Sequence, residues 1–171
     1  MTAKLVTVET LAHHRESLTL AGQLLAFTNG CFDLFHAGHL ASLQFARSQA
    51  DALAVAVNTD RSIRNLKGPT RPIIPLEQRV EILCGLACVN YVVTFDTDTP
   101  IHIIQRVLPD VLVKGEEYRF NPVAGASEVI AAGGRVEFFR RPHGSPSTTD
   151  IIERIRASEL ALNGKEKKCA A

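Results

Sequence analysis

The sequence predicts an α/β fold, a doubly wound parallel sheet of five strands in a single domain, on three observations. From Leu24 onward, short apolar runs alternate with helix-length amphipathic segments, the pattern of a parallel sheet covered on both faces. A length of 171 residues suits one domain. A composition of 46% hydrophobic and 22% charged residues supports one packed core without staples.

The elements follow in order. Residues 1–23 form a lead in which Leu11, Leu18 and Leu20 are spaced by His13, His14, Arg15 and Glu16, predicting a helix with both histidines on a solvated face. Residues 24–160 are the domain proper. Leu24–Thr28 reads as the first strand, Gly38–Gln49 as a helix, and Ala52–Val57, ending at Asn58, as the second strand. Asp60–Arg71 reads as a flexible, basic connector. Pro75–Leu86 predicts a helix with proline in its first turn and Glu77 near the positive end of its dipole. Tyr91–Phe95 is the third strand, Thr99–Leu108 a helix, Val111–Lys114 the fourth strand, Ser127–Ala132 a short helix closed by Gly133-Gly134, and Val136–Arg140 the fifth strand. A last helix runs from Ser147 or Thr148 to about Leu160, and residues 161–171 read as a charged, frayed tail. Such a fold is Rossmann-like and binds its ligands beyond the carboxyl ends of the strands.

Bulk properties narrow the function. A net charge of +1 leaves no electrostatic footprint for nucleic acid. No apolar run approaches the ~18–20 residues that cross a bilayer, so no membrane partner is expected. The N-terminus lacks a signal peptide. Cys31, Cys84, Cys88 and Cys169 form no CxxC pair, which predicts neither a disulfide framework nor a protein-held metal; Cys31 reads as a small packing residue. The expected compartment is the cytoplasm, and a homo-oligomer, dimer or tetramer, is compatible with the sequence.

Directly after the first strand lies Thr28-Asn29-Gly30-Cys31-Phe32-Asp33-Leu34-Phe35-His36-Ala37-Gly38-His39-Leu40. Histidines three apart at a helix start share one side of the first turn, beside its free N–H groups. A helix N-terminus attracts phosphate, and Gly38 lets an anion approach the backbone. His36 and His39 are therefore donors aimed at phosphoryl oxygens.

This motif resembles that of the HxGH nucleotidyltransferases. VAVNTD, LKGPTRPIIPLEQR, FDTDTP, PDVLVKGEEY and STTDII, in that order, are similar to the adenylyltransferases of ADP-heptose synthesis, over about residues 24–156. The resemblance implies transfer of AMP from ATP to D-glycero-D-manno-heptose 1-phosphate, with Mg²⁺ accompanying ATP, for lipopolysaccharide or a related glycan. Another protein is then expected to phosphorylate the sugar. Alternatives are a cytidylyltransferase for glycerol phosphate or another alcohol phosphate, a heptose-phosphate guanylyltransferase, and a non-catalytic nucleotide-binding module.

A phosphate monoester oxygen needs no general base, so cations and donors are the groups to seek. The resemblance implies His36, His39, Lys67 and Arg79 as catalytic residues, with Lys67 reaching phosphate from the connector and Arg79 offering a guanidinium fork; a salt bridge of Arg79 with Glu77 or Asp60 is the alternative reading. It implies nucleotide contacts from Thr28, Asn29, Gly30, Phe32, Gly38, Lys114 and Gly115, and from Ser147, Thr148 and Thr149 at the last helix start, where plain N-capping is the alternative or additional role. Asp33, Asn58, Asp60 and Arg71 are expected on the substrate, Asp33 alternatively orienting its loop or serving Mg²⁺. Phe32 and Phe35 also read as loop or core anchors. Two departures from the family pattern stand out: Gly115-Glu116-Glu117-Tyr118 where relatives have Gly-Gly-Asp-Tyr, and a longer RRPHGSPSTT connection. The latter leaves open whether Arg140 or Arg141 faces the nucleotide, and places His143 in solvent.

Overall fold

A computed structural model of the chain describes residues 4–142 and 144–169. Five parallel strands form one sheet: β1 (Leu25–Gly30), β2 (Ala52–Asn58), β3 (Tyr91–Phe95), β4 (Val111–Gly115) and β5 (Arg135–Phe139). Their spatial order is β3-β2-β1-β4-β5. The chain winds outward from β1 through β2 to β3, then crosses back to place β4 on the other side of β1. The winding reverses between β1 and β4, so a crevice opens beyond their carboxyl ends.

β2 shows why the sheet is doubly covered. All seven of its residues are buried. Leu53, Val55 and Val57 face the layer of Leu43, Ala46, Val80 and Leu83. Ala52, Ala54 and Ala56 face that of Leu11, Ile103, Ile104, Val107 and Val129. Alternation thus puts branched residues under one helix layer and alanines under the other. The first layer holds α2 (Ala37–Ser48) and α4 (Leu76–Gly85); the second holds α1 (Val8–Leu20), α5 (Ile101–Val107) and α6 (Ala126–Ala131). Each fully buried Leu, Ile or Phe in these layers contributes about 1.5–3 kcal/mol.

The predicted strands match the observed ones within a residue or two at each end. The lead helix is present as α1, capped by the Thr7 side chain, which accepts from the Thr10 N–H at 3.1 Å. It is built into the domain. Leu11 is fully buried, Arg15 pairs with Asp110 at 2.6 Å, and residues 4–6 hydrogen-bond along the free edge of β3 at Val92. His14 stacks on Tyr91 with ring centroids 4.6 Å apart.

The connector after β2 differs from expectation. Asp60–Lys67 is a helix, α3. Thr59 caps it by accepting from the Ser62 N–H at 3.2 Å, and Ile63 buries fully against the sheet. Asp60 in the first turn, and Arg64 and Lys67 in the last, complement its dipole. Its polar face outnumbers its single apolar anchor, which made it look like a loop. The last helix, α7 (Thr148–Cys169), continues beyond the expected end at Leu160.

Candidate active site

The crevice at the β1–β4 switch is a cavity of about 450 Å³. The carboxyl end of β1 forms its floor: Thr28, Asn29 and Gly30 line it, and the Thr28 hydroxyl donates to the Val113 carbonyl of β4 at 3.0 Å. A Cβ on Gly30 would sit 3.2 Å from the Phe32 ring, a tight contact that would push the ring by a few tenths of an ångström.

The turn into α2 places both histidines. His36 is the N-cap, and its Nδ1 accepts from the His39 N–H at 3.3 Å. An accepting Nδ1 puts the proton of the neutral ring on Nε2. The two imidazoles stack, centroids 3.8 Å apart and planes 20° apart. A Cβ on Gly38 would lie 3.0 Å from His36 Cε1 and Nδ1 and 3.4 Å from the Pro146 carbonyl oxygen. Gly38 therefore leaves room for the His36 ring itself, a reason beyond anion approach.

His39 is flanked by Phe35, with centroids 5.6 Å apart, and Phe32, at 5.5 Å. Both phenylalanines anchor the loop, and Phe32 is also a buried member of the core. Burial, then the neighbouring His36 and Arg141, lowers the His39 pKa to about 4. Burial and Arg141 also push His36 below its usual range, against the pull of Asp150. Both rings are neutral at pH 7 and act as hydrogen-bonding groups in the free protein. His39 Nδ1 is buried without a hydrogen-bond partner, the only such side-chain atom among the described residues.

Three cations face this pair. Lys114, at the end of β4, donates to Asn29 Oδ1 and lies 5.5 Å from the Tyr118 ring centroid. Burial lowers its pKa to about 8, opposed by the charge of Glu117. Lys67 reaches the cavity from the last turn of α3, where Gly68, at φ +94°, ends the helix in a conformation suited to glycine. Arg141, not Arg140, lines the cavity from the segment after β5. His143 lies outside the described residues.

Other expected site residues have different work. Arg79 is fully buried and spends its donors inside the protein: Nε to the Ile74 carbonyl at 3.0 Å, one terminal nitrogen to the Cys31 carbonyl at 2.6 Å, the other to Asp60 at 2.7 Å. Its fork braces the loop after β1 against α3 and α4 and does not face the cavity. Asp60 is thereby its partner rather than a substrate contact. Asp33 is likewise buried. It accepts from the Ile73 and Ile74 N–H groups at 2.9 and 2.8 Å and from Arg71 at 2.6 Å. Burial opposes its ionisation, but these hydrogen bonds outweigh burial and hold its pKa below the usual range. Of its alternatives, loop orientation is realised, and Arg71 is consumed in the same contact.

At the start of α7, Ser147 and Asp150 cap each other: the Ser147 N–H donates to Asp150 at 2.7 Å, and the Asp150 N–H to Ser147 Oγ at 3.1 Å. Thr148 donates its hydroxyl to the Asp33 carbonyl at 2.9 Å. Ser147, Thr148 and the exposed Thr149 are not among the residues that line the cavity. Asn58 lines it, as does Gly115, where a Cβ would meet the Glu117 carboxylate. Cys31 lines it too, and burial pushes its thiol up, consistent with a packing role.

Ser42, Leu66, Asp98, Glu117, Tyr118 and Phe139 complete the wall and were given no role from sequence. Ser42 follows His39 by three on the same helix face, a spacing that carries a signal. Asp98 and Glu117 stand in segments already singled out, FDTDTP and GEEY. Glu116, the conspicuous departure, turns outward and pairs with Arg119 at 2.7 Å. Leu66 opens the LKGPTRPIIPLEQR segment, also singled out; nothing local marks Phe139.

A helix start bearing two neutral imidazoles, ringed by cations, is built for phosphate. Residues 27–154 match the family model described as cytidylyltransferase-like. The chain belongs to the cytidylyltransferase-like family. Membership makes it a nucleotidyltransferase. It is 49% identical over 154 residues to the "bifunctional protein HldE" of Shewanella piezotolerans, and equally to that of Shewanella loihica. Those matches cover 90% of this chain and 32% of each relative, so the chain spans about a third of the length of the curated relatives it matches. Among solved structures, the lipopolysaccharide core biosynthesis protein of Thermoplasma volcanium aligns at TM-score 0.58 and 25% identity, over 71% of this chain and 98% of that one. Pantoate-beta-alanine ligase of Francisella tularensis aligns at TM-score 0.58 and 16% identity, over 84% and 70% of the two chains, a likeness of fold. No described helix is long and apolar enough to cross a membrane.

Proposed function

We propose that this chain transfers AMP from ATP to D-glycero-D-manno-heptose 1-phosphate in the cytoplasm, giving ADP-heptose and pyrophosphate. The observation that carries the reading is the convergence of His36 and His39 at the α2 start with Lys67, Lys114 and Arg141 on one cavity. That arrangement suits two phosphorylated reactants held side by side. The similarity to proteins named HldE favours a heptose phosphate as acceptor.

In the reaction, an acceptor phosphate oxygen forms a bond to the α-phosphorus, and the bond from that phosphorus to the pyrophosphate oxygen breaks. No proton need leave the nucleophile, so no base is required. The protein positions the two anions in line and offsets charge growing on the α-phosphate and the leaving group. His36 contributes its Nε2–H, and Lys114 and Arg141 contribute positive charge. Lys67 stands on the β2 side to bring charge to the incoming phosphate. Mg²⁺ suits the phosphates of ATP, neutralising them when bound; among the described residues no cluster of three or more His, Cys, Asp or Glu is placed to cage a metal.

The test is a pyrophosphate-release screen crossing four nucleoside triphosphates with a panel of sugar and alcohol phosphates, with and without chelator. ATP with heptose 1-phosphate should give the highest kcat/KM and should stop in excess chelator. Faster turnover of glycerol 3-phosphate with CTP would reject the heptose reading.

A further inference from the structure

The cavity is electrically two-sided. Its β4–β5 half carries Lys114 and Arg141, with Glu117 set against Lys114. Its β2–β3 half carries Lys67 and two acceptors, Asn58 at the end of β2 and Asp98 after β3. A bare carboxylate in a site for two phosphorylated reactants repels them unless it faces a part of the ligand that donates hydrogen bonds.

Asp98 is held there by its surroundings. Asp96, in the same loop, accepts from Arg61 and from the Thr59 hydroxyl, which ties the loop to the start of α3. The Ser62 hydroxyl donates to the Thr97 carbonyl at 2.9 Å, and Asn58 Nδ2 donates to Ser62 Oγ at 2.9 Å. The Thr97 hydroxyl closes the turn by donating to the Thr99 carbonyl at 2.7 Å. The loop thus has two aspartates with separate fates. Asp96 is neutralised as an anchor, whereas Asp98 forms no ion pair among the described residues. The same chain turns the Asn58 amide so that Nδ2 is used, leaving Oδ1 with only the Cys31 thiol, 4.0 Å away.

We propose that Asp98, with Asn58 Oδ1 on the same cavity, accepts hydrogen bonds from hydroxyls of the acceptor and selects a phosphorylated polyol over a phosphate lacking those hydroxyls. This rests on the reading that a sugar phosphate is the acceptor. An ionised carboxylate offers two oxygens and about four lone-pair sites, a match for neighbouring hydroxyls that a carbonyl alone does not supply. Hydrogen bonds to charged groups are the stronger ones. Lys67, on the same half, then meets the phosphate of that molecule.

The experiment measures kcat and KM for both substrates, across a Mg²⁺ titration, in the wild type, Asp98→Asn and Asp98→Ala. Asp98 is exposed on a loop, and circular dichroism checks that both variants fold. Asp98→Ala should raise KM for the sugar phosphate roughly tenfold to a hundredfold, the loss of one or two charge-assisted hydrogen bonds. Asp98→Asn should fall between, and KM for ATP and the Mg²⁺ dependence should stay put. A deoxy sugar phosphate should lose its disadvantage in Asp98→Ala. An unchanged sugar-phosphate KM, or a shift confined to ATP or Mg²⁺, overturns the role of Asp98 while the proposed reaction stands. Failure of the wild type to use any polyhydroxylated phosphomonoester overturns both.

Discussion

His36 and His39 stack at 3.8 Å between ring centroids, and the His36 ring caps the helix through the His39 backbone N–H. His36 thus does two jobs: it caps the start of α2 and stacks on its neighbour's imidazole, which lies against Phe32 and Phe35. Burial, first of all, lowers the pKa of both rings; Arg141 adds to it at each, and the neighbouring His36 adds to it at His39.

His36→Ala and His39→Ala should each cut kcat by at least ~10²-fold, as expected for losing a preorganised charge-stabilising group. His36→Ala should also lose a helix cap, about 1 kcal/mol, and His39→Ala the packing of its ring against Phe32 and Phe35. Steady-state kinetics and urea unfolding of both variants separate the two effects. Wild-type turnover in either removes that histidine from the site.

His39 should titrate near pH 4 in the free protein, against 6.5 for an ordinary histidine. The unfolded chain takes up this proton first, so the contribution to stability is full above about 6.5 and is lost as pH falls toward about 4. NMR of the imidazole carbons follows the site directly. Binding of a triphosphate should move the pKa upward, since the added negative charge favours the imidazolium; a fixed value would place the anion elsewhere.

Arg79→Ala should fail on stability before catalysis. It strands the Ile74 and Cys31 carbonyls and leaves the half-buried Asp60 unpaired, a loss of about 3 kcal/mol or more. Arg79→Lys should recover little, because one ammonium does not replace a fork that spans Ile74, Cys31 and Asp60. Urea midpoints decide the matter. A stable but inactive Arg79→Ala would return Arg79 to the catalytic set.

Lys114 carries a pKa of about 8, so its charge fades just above physiological pH. The profile of kcat/KM for ATP should therefore fall on the alkaline side with a midpoint near 8, and Lys114→Met should be slow at every pH with that limb abolished. An alkaline limb that survives in Lys114→Met would assign it to another group.

Much of this protein was legible in one dimension. Alternation in β2, proline and threonine at helix starts, and the HxGH turn are short-range signals, because strand periodicity, capping and the phosphate affinity of a helix start depend on residues within a turn of one another. For that reason the fold, the two histidines and Gly38 were legible from the residues themselves, whereas Lys67 and Lys114 were singled out through the family resemblance; all five residues line one cavity. The directions of the charged side chains were not. Arg79, Asp33, Arg71 and Asp60 are of the types that bind phosphate and sugar, yet each is satisfied by partners elsewhere in the chain, from Cys31 to Ile74. Asp98 and Arg141 follow different strands and reach the site because the sheet order brings those strand ends together. Where a guanidinium or carboxylate points is decided by which acceptor or donor lies nearest after folding, and that neighbour is set by topology rather than by spacing along the chain.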